Sequence, residues 1–169
     1  DIFRDNIIKR IKQEKLQYDL IHANYWMSGL IGMALHYRYS IPLTYVYHSI
    51  GQVRLNIMRD YGQMADYVFY RQRLAAEKTI AHVATNIIAT SPVEKQLIKQ
   101  YFEVSPEKIT VIPIGVDATA FYPLPTAMAR QQLGWDPTHK IVVYVGRLEW
   151  RKGIGTLVQA FNAVVKNYP

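Results

Sequence analysis

The sequence predicts an α/β fold built on a doubly wound parallel sheet, and three observations carry that prediction. Short apolar segments alternate with longer segments of helical period, the order expected when each strand is returned by a helix to pair in parallel. The breaks fall where local chemistry asks for them, as at Ile41-Pro42 after a helical stretch and Ser91-Pro92 before one. Of the 169 residues, 50% are apolar and 20% charged, which is a globular composition rather than a disordered one.

The elements follow in order. Phe3, Ile7 and Ile11 recur at every fourth position and predict an amphipathic first helix. Asp19 to Ala23 is short and apolar, as in a buried strand. Met27 to Tyr39 reads as a helix, stopped before Pro42 because the residue preceding proline avoids helical angles. Leu43 to Tyr47 is strand-like, Tyr67 to Val83 helical, and Asn86 to Ala89 the next strand. Ser91 then caps a helix, with Pro92 in its first turn and Glu94 at the capping-box position. Val93, Leu97, Ile98 and Tyr101 share one side of it, and Lys108 to Ile112 returns as a strand.

Composition shifts after Gly115. Pro123, Pro125 and Pro137 mark a linker with a short helical piece near Met128 to Leu133. Lys140 to Val145 reads as a β-branched strand, followed by a glycine-containing turn and a helix. In that helix Ile154, Leu157, Val158, Phe161, Val164 and Val165 keep the helical period. One strand–helix unit cannot bury its own apolar faces, so a second α/β domain is expected to continue beyond Pro169. The expected division is 1–122, a linker 123–138, and the start of a second domain at 139–169.

Composition narrows the chemistry. There is no cysteine, which excludes disulfides, thiolate metal sites and cysteine nucleophiles and fits a reducing, cytoplasmic compartment. No apolar run approaches the roughly 18 residues of a spanning helix. The net charge of +7 favours anionic partners: phosphates, nucleic acid or an anionic membrane surface. The basic residues are scattered rather than gathered around aromatics, which argues against nucleic acid and leaves peripheral contact with an anionic membrane open. The five histidines show no His-x-x-x-His spacing, and no Gly-x-Ser-x-Gly elbow is present, so metal and hydrolase readings find no support.

In a doubly wound sheet, ligands sit beyond the carboxyl ends of the strands. That rule selects Asn24-Tyr25-Trp26, His48-Ser49, Thr90-Ser91, Pro113-Ile114-Gly115 and Gly146-Arg147. The sharpest constellation is Gly146-Arg147 followed by Lys152-Gly153 at a strand-to-helix turn. A helix start offers free N–H groups and a positive dipole end to a phosphate, and Arg147 and Lys152 add two cations. A basic surface turn would look the same.

Val143-Tyr144-Val145-Gly146-Arg147-Leu148, with Lys152-Gly153, Thr156-Leu157-Val158 and Ala160-Phe161, resembles the start of the C-terminal domain of family 4 retaining glycosyltransferases with the GT-B fold. Ile109 to Asp117 with Phe121-Tyr122-Pro123 resembles that family's interdomain segment. His22 to Gly29, and Pro42-Leu43-Thr44 with His48 to Gly51, resemble its acceptor-side loops. The similarity spans nearly the whole chain, with the motifs in the family's order. It is nearest to the sucrose-phosphate synthase and sucrose synthase branch and the related inositol-phosphate-using transferases.

The resemblance implies a Rossmann-like acceptor domain, cut at its front, followed by the first strand–helix unit of a Rossmann-like nucleotide-sugar domain. It implies a nucleotide-diphosphate sugar as donor, a sugar or sugar phosphate as acceptor, and no metal or other cofactor. Gly146, Arg147 and Lys152 would hold the donor diphosphate, and His48 would lie at the reacting centre. Tyr25, Ser49, Arg54 and Arg73 would contact the acceptor. Arg54 stands where phospho-acceptor enzymes often carry lysine, which leaves acceptor identity open. Arg73 and Glu77 are also spaced for an ordinary helical ion pair. Arg151, in place of the commoner acidic residue, is expected to face solvent, and His22 to lie in the core or behind the site. The family's glycine-rich loop would precede Asp1 and its paired glutamates would follow Pro169, so the chain by itself is expected to be inactive. The rival expectation is a non-catalytic basic α/β module that binds phosphorylated ligands or polyanions, with a salt-sensitive affinity.

Overall fold

Four short strands form one parallel sheet in the order β1-β2-β3-β4: β1 is Ile21–Asn24, β2 Leu43–Val46, β3 Asn86–Ala89 and β4 Ile109–Val111. The computed structural model describes residues 2–60, 62 and 67–167. The helices are α1 (Ile2–Gln13), α2 (Tyr25–Tyr39), α3 (Gly51–Asp60), α4 (Tyr67–Val83), α5 (Pro92–Phe102), α6 (Thr126–Leu133) and α7 (Ile154–Asn167). The chain divides into two units, Asp1–Val116 and Asp117–Pro169.

The first unit holds the whole sheet. Ile21 pairs with Leu43, Tyr45 with Ile87, and Ile87 with Ile109. These residues therefore share one face, since side chains alternate across a strand. On that face α2 packs against β1 and β2, α4 against β2, and α5 against β3 and β4, while α2 and α5 both touch α4. Leu43, Tyr45, Ile80, Ile87 and Ile98 are fully buried between the layers. Gly29 of α2 lets the layers meet closely: a Cβ there would lie 2.7 Å from Ile80 Cδ1 and 3.0 Å from the Tyr45 ring. The opposite face carries His22, Thr44, Asn86 and Thr110, all exposed or half-buried.

This arrangement corrects one expectation, the placement of His22. The strands are laid down in a single direction, and right-handed crossovers then put every connecting helix on the same face. The order does not reverse within these four strands. His22 alternates onto the open face and is exposed, not in the core.

The capping chemistry read for α5 is present. Ser91 Oγ accepts from the Glu94 backbone N–H at 3.1 Å, and the Glu94 carboxylate reaches back to the N–H and hydroxyl of Thr90. Helix α3, with Val53 and Ile57 four apart, was not expected. In the second unit the expected strand at 140–145 forms no ladder. Val142, Val143 and Val145 are exposed, because among the described residues that unit has no other strand to pair with. The expected linker is folded in part: Arg130 donates to the carbonyl oxygens of Asp136 and His139, both at 2.9 Å, and ties the loop after α6 to the helix.

Tyr45 and Tyr47 sit in the core with ring centroids 4.6 Å apart, and Tyr47 stacks on Phe102 at 4.9 Å. Burial pushes both phenols far above the ordinary value of 10.0. Their folded-state values are raised, so the stability they contribute is intact below the unfolded value and is lost as pH rises above it. The expected result is a late alkaline step in tyrosinate absorbance that coincides with loss of helical circular dichroism and shrinks in Tyr47→Phe. Ionisation of all tyrosines before any loss of structure would contradict the burial argument.

Candidate functional site

The residues singled out from the sequence gather in two places, one in each unit. The first lies at the carboxyl ends of β1 and β2. Asn24 ends β1 opposite Val46, and Tyr25 opens α2 directly after it. His48 stands two residues past β2. Tyr25 and His48 both hold left-handed backbone angles, with φ of 71° and 55°. Such angles are unfavourable for bulky residues and cost on the order of 1 kcal/mol or more each. One contact joins the two strand ends: His48 Nε2 donates to Asn24 Oδ1 at 2.7 Å.

Beneath this contact lies a buried ion pair. Arg73 and Glu77 of α4 are both 0% exposed, and Arg73 Nε donates to Glu77 Oε1 at 2.7 Å. The other carboxylate oxygen accepts from the Gly51 backbone N–H at 2.9 Å, so Glu77 holds the start of α3. The Arg73 Nη2 donates to the Ser49 backbone oxygen and, at 3.3 Å, to Ser49 Oγ. The guanidinium carbon also lies 5.0 Å from the centre of the Tyr25 ring, within cation–π range. Gly51 has to be glycine for this packing, because a Cβ would come within 2.9 Å of Glu77 Oε2 and 3.0 Å of Arg73 Nε. Burial raises the Glu77 carboxyl above its ordinary value, against the opposing hydrogen bonds from Arg73 and Gly51.

The fold thus brings Tyr25, His48, Ser49 and Arg73 together. Arg73 makes the helical ion pair that its spacing allows, and its guanidinium is shared among Glu77, Ser49 and Tyr25. Arg54 is exposed in the first turn of α3, with its backbone N–H bonded to Ile50 at 3.1 Å. Asn24 and Gly51 were not assigned roles from the sequence. Asn24 was visible only as one of the residues after a strand, and Gly51 only as part of a motif.

The second place is the turn before α7. The Tyr144 hydroxyl donates to the Arg147 carbonyl at 2.9 Å, and Arg147 pairs with Glu149 at 2.8 Å on the surface. A 3-10 turn spans Trp150–Lys152, and Gly153 leaves it at φ 73° to start α7. Gly146, Arg147 and Lys152 are all exposed around this helix start; the side chain of Arg151 lies outside the described residues. Among the described residues, no cluster of three His, Asp or Glu side chains could hold a metal. No helix there is long and apolar enough to cross a membrane.

The family profile that matches residues 2–120 is that of glycosyltransferase family 4. The chain belongs to glycosyltransferase family 4. Members similar to it include a D-inositol 3-phosphate glycosyltransferase of Segniliparus rotundus, 32% identical over 94% of this chain and 34% of that protein. An enzyme of the same name from an Arthrobacter species is 33% identical over 90% of this chain and 36% of that one. Among solved structures, sucrose-phosphate synthase from Thermosynechococcus elongatus superposes with a TM-score of 0.81 at 33% identity, over 96% of this chain and 38% of that one. Anabaena HepE, solved with UDP and glucose, shares the fold at a TM-score of 0.53 and 24% identity, over 76% of this chain and 32% of that one. The chain spans about a third of the length of these relatives. Its fold is the family's GT-B type, with the parallel sheet in a Rossmann-like N-terminal domain.

Proposed function

We propose that the protein is a retaining glycosyltransferase that moves a sugar from a nucleotide-diphosphate donor to a hydroxyl acceptor, with a sugar phosphate as the favoured acceptor class. The observation that carries this reading is the meeting of Tyr25, His48 and Ser49 at the carboxyl edge of the sheet, two of them in left-handed backbone geometry. Strain of that kind collects at sites where function requires it. Family membership supplies the class of chemistry, and the inositol-phosphate-using relatives favour a phosphorylated acceptor.

In this reading the first unit provides the acceptor side. Tyr25, Ser49 and Arg54 contact the acceptor, and His48 lies at the reacting centre. Arg73 supports them through Ser49 and Tyr25, and bears on an acceptor phosphate from the same position. In the second unit Gly146, Arg147 and Lys152 hold the donor diphosphate at the start of α7. The bond from the anomeric carbon to the diphosphate oxygen breaks while the acceptor oxygen bonds to that carbon on the same face. The acceptor proton passes to the leaving phosphate, and the two cations stabilise the charge that grows there. No metal is called for by this assignment, and a cytoplasmic location fits a nucleotide-sugar donor.

The test is a donor and acceptor screen on the intact enzyme, with the product anomer assigned by NMR. Retention with a nucleotide sugar, lost in His48→Ala, is the expected result. An inverted product, or no transfer from any nucleotide sugar, would sink the assignment.

A further inference from the structure

We propose that Asn24 is the positioning residue for His48: its side-chain carbonyl fixes the ring as the Nε2–H tautomer and leaves Nδ1 unprotonated. The inference rests on the reading of His48 as a residue of the reacting centre, and the contact itself is independent of it. Four observations converge on it.

The hydrogen bond is short, 2.7 Å from Nε2 to Oδ1, and a carbonyl oxygen can only accept, so Nε2 carries the proton. Which nitrogen of a histidine is protonated is set by the bond its other nitrogen makes; in this ring that bond is the one to Asn24. The two residues sit 24 positions apart in sequence and meet because β1 and β2 are adjacent and parallel, with Asn24 in register with Val46. The backbone on both sides of the contact is left-handed: Tyr25 directly follows Asn24, and His48 itself is the second such residue.

Asn24 also occupies the N-cap position of α2, where an asparagine normally accepts from the helix's own N–H groups. It makes no such capping bond. The side chain is spent on His48 instead, so the helix gives up a local stabilisation to hold the histidine. A neutral amide suits the task. It orients the ring as a carboxylate would, without adding a negative charge beside a site proposed to receive a phosphorylated acceptor.

Long-range proton–nitrogen NMR of the protein labelled at histidine tests this directly. The wild type is expected to show His48 in the Nε2–H form, with that proton protected from exchange. Asn24→Asp, which accepts but cannot donate, should keep the same tautomer, whereas Asn24→Ala should lose the protection and mix the two forms. The proposal is overturned if His48 is the Nδ1–H tautomer in the wild type, if Asn24→Asp reverses the tautomer, or if Asn24→Ala leaves both nitrogen signals unchanged. A melting curve run beside each variant separates loss of the contact from loss of the fold.

In the intact enzyme Asn24→Ala should lower kcat by up to about 10²-fold, the scale of a misplaced reacting group, and should add no further loss on a His48→Ala background. Full additivity of the two losses would overturn the assignment. If His48→Ala leaves transfer intact while the tautomer result stands, the functional reading of His48 fails and the role of Asn24 in holding the ring survives.

Discussion

Glu77→Ala is expected to lower the unfolding free energy by about 3–5 kcal/mol, the cost of stranding one charge of a buried pair. Arg73 is 0% exposed and loses its Nε partner in that variant, while the Gly51 N–H loses its acceptor. Domains of ordinary stability have about 5–15 kcal/mol in hand, so the variant should melt far below the parent or fail to accumulate. The double replacement Arg73→Met with Glu77→Leu separates charge from volume: it should recover a large part of the loss, because no buried charge is left without its partner, while the Gly51 N–H and the Ser49 carbonyl still lose theirs. Equal damage from the double and the single variant would show that the pair contributes beyond its own neutralisation. Chemical denaturation of all three proteins reads the difference.

The second large effect concerns transfer itself. In the intact enzyme Lys152→Ala is expected to lower kcat by about 10²–10³-fold, the range seen when one preorganised partner of developing charge is removed. Lys152 is exposed in the turn before α7, so stability should change little and a loss of rate cannot be assigned to misfolding. Arg147 is paired with Glu149 on the surface, a contact worth little in water, and that pair can open when a diphosphate arrives. Arg147→Ala should therefore show a loss of the same order. Full activity in Lys152→Ala would remove the donor-phosphate assignment, and the fold would be untouched by that result.

How much of this was legible in the residues depended on the range of the interaction. β3 was read to its exact bounds because Asn86 to Ala89 lies between a helix end and the Ser91-Pro92 cap. α5 was read from its own first turn, where Ser91 and Glu94 do the capping within four residues. α3 was missed: it opens on Gly51, whose amide is held by Glu77 26 positions later, and no local signal announces a cap supplied from another helix. The segment 140–145 has strand propensity, but a ladder requires a second strand, and propensity cannot supply one.

The candidate site divides the same way. Tyr25 and His48 were visible as residues after a strand, Arg147 and Lys152 as cations at a strand-to-helix turn, and Arg73 through the family resemblance. Asn24 was given no role, because an uncharged amide after a strand resembles any turn residue. The left-handed angles at Tyr25 and His48 were invisible for a related reason, since glycine and asparagine advertise that geometry and tyrosine and histidine do not. The spacing of Arg73 and Glu77 suggested a surface pair of small value; their burial, which makes loss of one partner alone cost about 3–5 kcal/mol, comes from the strands and helices around them.

The close seat of α2 at Gly29 has a consequence for binding. With Ile80 Cδ1 and the Tyr45 ring already where a Cβ would stand, the helix has no slack to slide along the sheet. Tyr25, one turn upstream, is therefore located by this packing at its backbone and by the Arg73 guanidinium, 5.0 Å from its ring centre, on its side chain. The entropy of placing that ring is spent when the chain folds and need not be found again when an acceptor arrives. Such preorganisation favours affinity through a lower ordering cost on association, with no additional contact to the ligand.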